Sequence, residues 1–429
     1  MTVWDDLEDI MATKTTDVMQ VGQIIDLYLD VLAESLALSR FKCAHALRGA
    51  DIFLESDVMQ AHTTYCRRRL VALLTTKIDQ PSEYMASLGA IVLKDIEQYS
   101  APVGQMVAES GAVPQVVATL WLFRHTDRST TLIYTGILYR LCITKNLPVS
   151  DLHSLTYDLI EYLYFRVCEN EDDPEDADDD TLLLLLALNE QYAAQSVREN
   201  KVVNVLKSNL LKYRAVGGKI VLLANRTSST PTKVLVCKFL YYIFTTPETL
   251  NFIYTNDLKV LVEVLLRELS DLSTEADDLR QMYLRVLHVL LENTTIFEEK
   301  FKQSDIVSVL RSSAESSSGE TRRIAERCLN IEWLQWSRHG SCVSISSEEA
   351  SRLGSDSEHS SEEEDSPGPS PSRTRSPLPS PPYPVTLRGK PLPPPPRSSK
   401  IRPSSATNVA LAGSNLPPPP PPQRLRKQT

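Results

Sequence analysis

Residues that carry chemistry are what this sequence has least of. Its seven histidines do not cluster, and no His-Glu-x-x-His, Cys/His zinc spacing or Gly-x-Ser-x-Gly occurs in 429 residues. The familiar signatures of metallohydrolases and serine hydrolases are therefore missing. Gly218-Lys219 offers a fragment of a phosphate loop, but Tyr213 stands where the first glycine belongs and Ile220 where Mg²⁺ needs a hydroxyl. The seven cysteines include no Cys-x-x-Cys pair and read as reduced, mostly buried thiols. The start, Met1-Thr2-Val3-Trp4-Asp5-Asp6, lacks the basic and apolar regions of a signal peptide. The most apolar run, Leu182 to Leu188, is far shorter than the ~20 residues of a membrane span. These absences lead us to expect a cytoplasmic protein with no transmembrane segment, no cofactor and no enzymatic activity.

Proline is nearly absent from the first four-fifths of the chain and crowded into the rest. Residues 341–429 hold twenty of the 27 prolines and none of the four tryptophans. The leucine-rich body before them suits helices. The net charge of −10 argues against nucleic acid or an anionic membrane as the main partner. The tail is acidic from Ser341 to Ser372 and carries only basic charges from Arg373 onward, ending in Arg424, Arg426 and Lys427. That basic terminus is read as a solvated end rather than a contact for lipid or actin.

Within the body, residues 1–340, the periodicity is helical from about Val18 to Trp336. Asn256 to Leu269 is the clearest case: Leu258, Leu261, Val262, Leu265, Leu266 and Leu269 form one stripe, with Lys259, Glu263 and Arg267 opposite. Thr255 or Asn256 is expected to cap it, and Thr246-Pro247-Glu248 to start a short helix before it. In the next helix Leu279, Met282, Tyr283, Val286, Leu287 and Leu290 share a face, with Arg280 and Arg285 off it. Similar segments span Val21 to Leu38, Cys66 to Thr76, Tyr84 to Tyr99, Thr131 to Ile143 and Leu152 to Phe165. Lengths of about 10–20 residues and short turns predict an all-α, armadillo- or HEAT-like irregular solenoid. No strict repeat is visible, and a compact helical bundle is the alternative. Residues 169–180, nearly all acidic, read as a solvated linker between two halves; a Ca²⁺ loop would need its turn glycine and final glutamate.

Residues 341–429 are expected to be a disordered tail, since acids, serines and prolines cannot bury a core. Ser366, Ser370, Ser376 and Ser380 precede prolines and are compositional kinase sites. Arg388 with Pro391 and Pro394, and Lys390 with Pro393 and Pro396, form two registers of one SH3 ligand. Pro419, Pro422 and Arg424 form another in the opposite orientation. A polyproline II helix places prolines at i and i+3 on one ridge, and a flanking cation sets its direction in an aromatic groove. The Leu-Pro-Pro-Pro-Pro steps also fit EVH1 domains and the six-proline run fits profilin, though neither needs the basic flanks; a stiff spacer is the bland alternative.

The block Thr181-Leu-Leu-Leu-Leu-Leu-Ala-Leu-Asn-Glu-Gln-Tyr192 resembles the leucine-rich domain of the fungal Dip and low-dye-binding endocytic proteins. So do Phe244 to Thr249, Tyr254 to Val262 and Tyr283 to Leu287, within a best match of 181–309. The animal SPIN/WISH adaptor, which interacts with Nck-type SH3 proteins, is related to this family. The resemblance implies an armadillo-like domain that binds and activates the Arp2/3 complex without a mother filament. It would thereby make linear seed filaments at endocytic cortical actin patches, with the tail recruited by SH3-domain endocytic proteins. A non-nucleating adaptor or an inhibitor of actin assembly are the rival readings. Where the family has a Phe-Gly-Glu-like step, this chain has Val216-Gly217-Gly218. Polar residues inside the matching blocks are the candidate Arp2/3 contacts: Asn189, Glu190, Asn256, Asp257, Lys259, Arg267 and Arg285. Helix capping or a solvated face is the alternative role for each.

Overall fold

The computed structural model describes residues 2–335 except 77–78, 100, 170–178, 196–198, 274 and 318. Most of the acidic stretch and the whole proline-rich tail therefore lie outside the described residues. The body is all helical, with no strand among the described residues. It opens with α1 (Val3–Met11), α2 (Val18–Leu38), α3 (Lys42–Glu55), α4 (Asp57–Thr76) and α5 (Ser82–Tyr99). There follow α6 (Ala101–Glu109), α7 (Val113–Phe123), α8 (Arg128–Thr144), α9 (Val149–Ser154) and α10 (Tyr157–Glu169). Next come α11 (Asp179–Ala194), α12 (Lys201–Ser208), α13 (Arg214–Arg226), α14 (Thr230–Thr245) and α15 (Thr255–Asp271). The last are α16 (Asp277–Asn293), α17 (Gln303–Ser316), α18 (Gly319–Leu329) and α19 (Glu332–Gln335).

Seven of these helices form a ladder. In order, α3, α5, α8, α11, α14, α16 and α18 each pack on the next, and their first residues are 40 to 51 positions apart. Side-chain ties show the same period. Lys42 meets Glu83, Asp51 meets Lys94, and Glu97 meets Arg140. Gln191 meets Cys142, Asn293 meets Phe244, and Thr321 meets Asp277. A spacing near 40–47 residues is that of armadillo and HEAT repeats. The repeat thus exists in space although the sequence shows none. A second row, α10, α13, α15 and α17, packs along one side of the later rungs.

Position in the ladder explains which helices are amphipathic. α11 packs against α8, α14, α10 and α12 at once, so Leu182 and Leu184 to Leu188 are all buried. A helix apolar all round is a buried helix, and this accounts for the seven-residue apolar run. α15, in the second row, has one covered side and keeps the predicted stripe buried from Leu258 to Leu269. No single described helix is long and apolar enough to cross a membrane; the bent pair α6–α7 comes near by composition, but Val103, Val107, Val113, Val116 and Leu120 are core residues.

Several local expectations need correction. Leu152 to Phe165 is two helices, because Thr156 Oγ1 accepts from Leu159 N at 3.1 Å and starts α10 afresh. The Cys66 helix begins earlier, at Asp57, and is kinked at His62 (φ −127°, ψ 31°). Neither Thr255 nor Asn256 caps α15: Tyr254 is its N-cap, with no side-chain bond, and Thr255 is already helical. Thr246 precedes only a single 3-10 turn, Pro247–Thr249. Arg280 does not lie off the buried face. It is buried, and its guanidinium donates to the carbonyls of Leu272 (2.9 Å) and Ser273 (3.2 Å), closing the end of α15. The long side chain of arginine lets a charged residue inside a stripe find polar partners past the helix end. Gly218 and Lys219 sit inside α13, so no phosphate loop exists there. The six cysteines among the described residues are free thiols, four of them buried.

Candidate functional site

Three of the seven candidate body residues meet in one groove. Asn189 and Glu190 come from α11, Arg285 from α16, and α14 between them contributes Cys237, Lys238, Tyr241 and Tyr242. Ala193, Met282 and Val286 complete a cleft of about 460 Å³. The three contributing helices are successive rungs, so the groove is a direct product of the ladder.

Its polar residues are held in different ways. Asn189 is buried, and its Oδ1 accepts from Asn200 Nδ2 at 2.9 Å. Asn200 in turn caps α12 by accepting from Val203 N, so Asn189 anchors the start of the following helix. Glu190 pairs with Lys238 across the α11–α14 step. Arg285 reaches Glu320 of α18 at 3.8 Å and stays half exposed. At that length and exposure the pair contributes little, which leaves the guanidinium free to exchange partners. Tyr241 is 44% exposed. Burial pushes the Cys237 thiol up to about 12, so the sulfur at the edge of the groove is an inert packing atom.

The other four candidates lie along α15, in the second row. Asn256 is exposed in its first turn. A Cβ placed on Gly218 would stand 3.3 Å from Asp257 Oδ2. Lys259 pairs with Glu299 at 2.6 Å and lies 5.8 Å from the Phe301 ring centroid. Arg267 clamps the end of α13, donating to Asn225 Oδ1 at 2.9 Å and to Asn225 O at 3.3 Å. The Val216-Gly217-Gly218 step lies against the same segment: a Cβ on Gly217 would be 3.2 Å from both Phe252 O and Ile253 Cγ1. The step thus falls where α13 approaches the backbone before α15.

Lys238, Tyr241, Tyr242 and Met282 were not among the sequence candidates. Tyr241-Tyr242 about one helical turn after Lys238 was the available signal, since aromatic anchors beside a charge mark protein interfaces. The nine SH3-ligand residues, Arg388, Lys390, Pro391, Pro393, Pro394, Pro396, Pro419, Pro422 and Arg424, all lie outside the described residues. Among the described residues no cluster of His, Cys, Asp or Glu is arranged to hold a metal. The groove can recognise a protein through shape, apolar contact and a few charges.

Comparison with known proteins points to one family. The profile of the SPIN90/Ldb17 leucine-rich domain matches residues 174–306, which contain α11 to α16 and hence the whole groove. Protein dip1 of Schizosaccharomyces pombe is 30% identical over 254 residues, 54% of this chain and 67% of that protein. Protein LDB17 of Saccharomyces cerevisiae is 31% identical over 222 residues, 48% of this chain and 44% of that protein. LDB17 of Eremothecium gossypii is 22% identical over 341 residues, 72% and 73% of the two chains. Among solved structures, a designed armadillo repeat protein aligns with 62% of this chain and 98% of its own, at 15% identity and a TM-score of 0.34.

Proposed function

The chain belongs to the SPIN90/Ldb17 family of actin- and endocytosis-related proteins, and from that premise we propose that its helical body binds and activates the Arp2/3 complex. Activation needs no mother filament and yields linear seed filaments at endocytic actin patches. The proline-rich tail brings the protein there by presenting Arg388, Lys390 and Arg424 beside their prolines to SH3 domains. The observation that carries the reading is the coincidence of the family-matched segment with a preformed groove of three successive rungs. A groove with exposed Tyr241, half-buried Met282 and half-exposed Arg285 supports recognition of a protein surface rather than of a small molecule. Because its walls are packed helices, little ordering is needed on binding.

The test mixes the full-length protein with Arp2/3 complex and actin monomers, without preformed filaments or WASP-type activators, and follows assembly by pyrene fluorescence. Acceleration is expected, with unbranched filaments seen by microscopy. No acceleration despite binding in pull-down would reduce the protein to an adaptor, and slower assembly would make it an inhibitor. A chain ending at Gly340 should keep nucleation in solution and lose patch recruitment in cells. Unchanged localisation would remove the role given to the tail.

A further inference from the structure

The N-terminal end of the body holds a second cleft, outside the family-matched residues. It runs between the α1–α2 connection and the start of α4, with a volume of about 840 Å³. A smaller recess of about 290 Å³, between α1 and the end of α3, adjoins it through Asp57, which lines both. Met11 and Val58, both nearly inaccessible, form part of the floor, with half-buried Ile52 beside them. The walls are pinned in place. His62 Nε2 lies 2.8 Å from the carbonyl of Thr15, tying the connection to the kink in α4, and Asp17 caps α2 by accepting from Met19 N.

The charge of this end is lopsided. The first 61 residues contain eleven Asp and Glu against four Lys and Arg, so they carry −7 of the chain's −10. Acids facing other helices are paired: Asp26 with Arg69, Asp51 with Lys94. Glu8, Glu55 and Asp57, which line the recess, are exposed and have no cationic partner among the described residues. Lys14 is the one lysine or arginine among the described residues that lines either cleft. A preformed cleft with an apolar floor and unmatched carboxylates at its rim complements cations carried on apolar stems, and lysine and arginine side chains have that form.

We propose that this cleft docks a segment of a partner protein rich in lysine and arginine. Its charge repels nucleic acid and anionic lipid, and a second copy of the same acidic end is disfavoured for the same reason. The cleft shares no residue with the α11–α14–α16 groove, so this inference stands or falls separately from the proposed nucleation.

The test uses the full-length protein and a short fluorescein-labelled peptide alternating Arg or Lys with Leu, read by fluorescence anisotropy at about 0.15 M salt. Saturable binding is expected, with none to the same peptide bearing Glu in place of Arg and Lys. The triple variant Glu8→Gln, Glu55→Gln, Asp57→Asn should bind about tenfold more weakly, each exposed charge contact contributing about two- to threefold. A control triple at the other end of the body, Asp278→Asn, Glu298→Gln, Glu315→Gln, should bind as the parent does. Equal weakening by both triples would show diffuse attraction to an acidic protein and overturn the proposal, as would absence of saturable binding. Hydrogen exchange on the parent protein gives a readout independent of any variant's folding. Peptide should protect residues 13–17 and 57–62, and no protection there would also overturn the proposal.

Discussion

Replacing Gln191 by Ala should open the joint between the third and fourth rungs of the ladder. Gln191 lies on α11 within the leucine-rich block, yet it is only 2% exposed. Its Nε2 donates to Cys142 O at 2.6 Å and to Lys145 O at 3.2 Å, and its Oε1 accepts from Leu147 N at 2.7 Å. Cys142 is among the last residues of α8, whose carbonyls have no intrahelical donor. One amide side chain therefore satisfies three backbone groups at the end of a neighbouring helix. Alanine would leave them without partners, at about 1–3 kcal/mol for each that stays buried. Water can reach the part-buried Lys145 carbonyl, so two full penalties remain, about 3 kcal/mol in all.

A solenoid couples mainly to its neighbours, so this loss should appear locally rather than as a shift of one global transition. Hydrogen exchange read by mass spectrometry on the segment from Cys142 to Leu155 should speed up about a hundredfold, since ~1.4 kcal/mol is a factor of ten. Exchange in α2 and α18 should be unchanged. Gln191→Glu should be at least as disruptive at neutral pH, because it retains the acceptor for Leu147 but faces two carbonyls with a negative charge. Less than a threefold change in the alanine variant would mean that these bonds are not what closes the joint.

Other perturbations probe different terms. Asp95 is buried and accepts three bonds from Arg67, at 2.7 to 3.2 Å; Arg67→Ala strands that carboxylate and should destabilise the N-terminal repeats by about 3–5 kcal/mol in urea unfolding, with Arg67→Lys intermediate. A Cβ on Gly89 would stand 2.7 Å from Tyr134 Cε2 and 2.9 Å from Ile133 Cγ2, so Gly89→Ala should cost about 1–3 kcal/mol by overpacking, visible as a lower urea midpoint. Burial holds His288 below its ordinary range, with Arg327 adding to this and Glu292 opposing it. The unfolded chain then binds the proton more readily, so this contribution is full above pH 6.5 and is lost as pH falls through the lower folded value. His288→Gln should flatten stability between pH 7 and 5; an unchanged slope would show that His288 contributes none of it.

How much of the fold was legible follows from how far each signal reaches along the chain. The stripe of α15 was readable because all its members fall within one short window, and its helix faces the core on one side only. α11 had no stripe to read, since rungs on both sides bury it; a run of leucines was the sole trace of its central place. The break between α9 and α10 was missed because apolar periodicity continues across it, while a single threonine side chain decides where the second helix starts. Arg280 was misplaced for a related reason. Wheel position sets the direction of Cα–Cβ, whereas a long side chain chooses its end point from partners outside its own helix.

The groove asks for more than any window holds. Glu190, Lys238 and Arg285 stand about one repeat apart along the chain, and a charged residue on one helix does not announce which charges stand on the next. Polarity within a matching block therefore selected Asn189, Glu190 and Arg285 together with four residues of α15 that sit in the other row. The ladder separates these sets physically. Of the α15 residues, Lys259 and Arg267 are already engaged with Glu299 and with Asn225, and Asp257 lies against α13 near Gly218. In the groove, Asn189 is committed to Asn200, whereas Arg285 has only a 3.8 Å pairing to give up. A partner that displaces Glu320 gains a charge-assisted bond at small cost, while one that engages Asn189 must first unmake a buried hydrogen bond. If the proposed partner uses this groove, Arg285→Ala should weaken its binding at least threefold with melting unchanged, and Asn189→Ala should lower stability whether or not the partner is present. The reverse pattern, measured by binding titration and thermal melting on the same two variants, would place the contact elsewhere on the body.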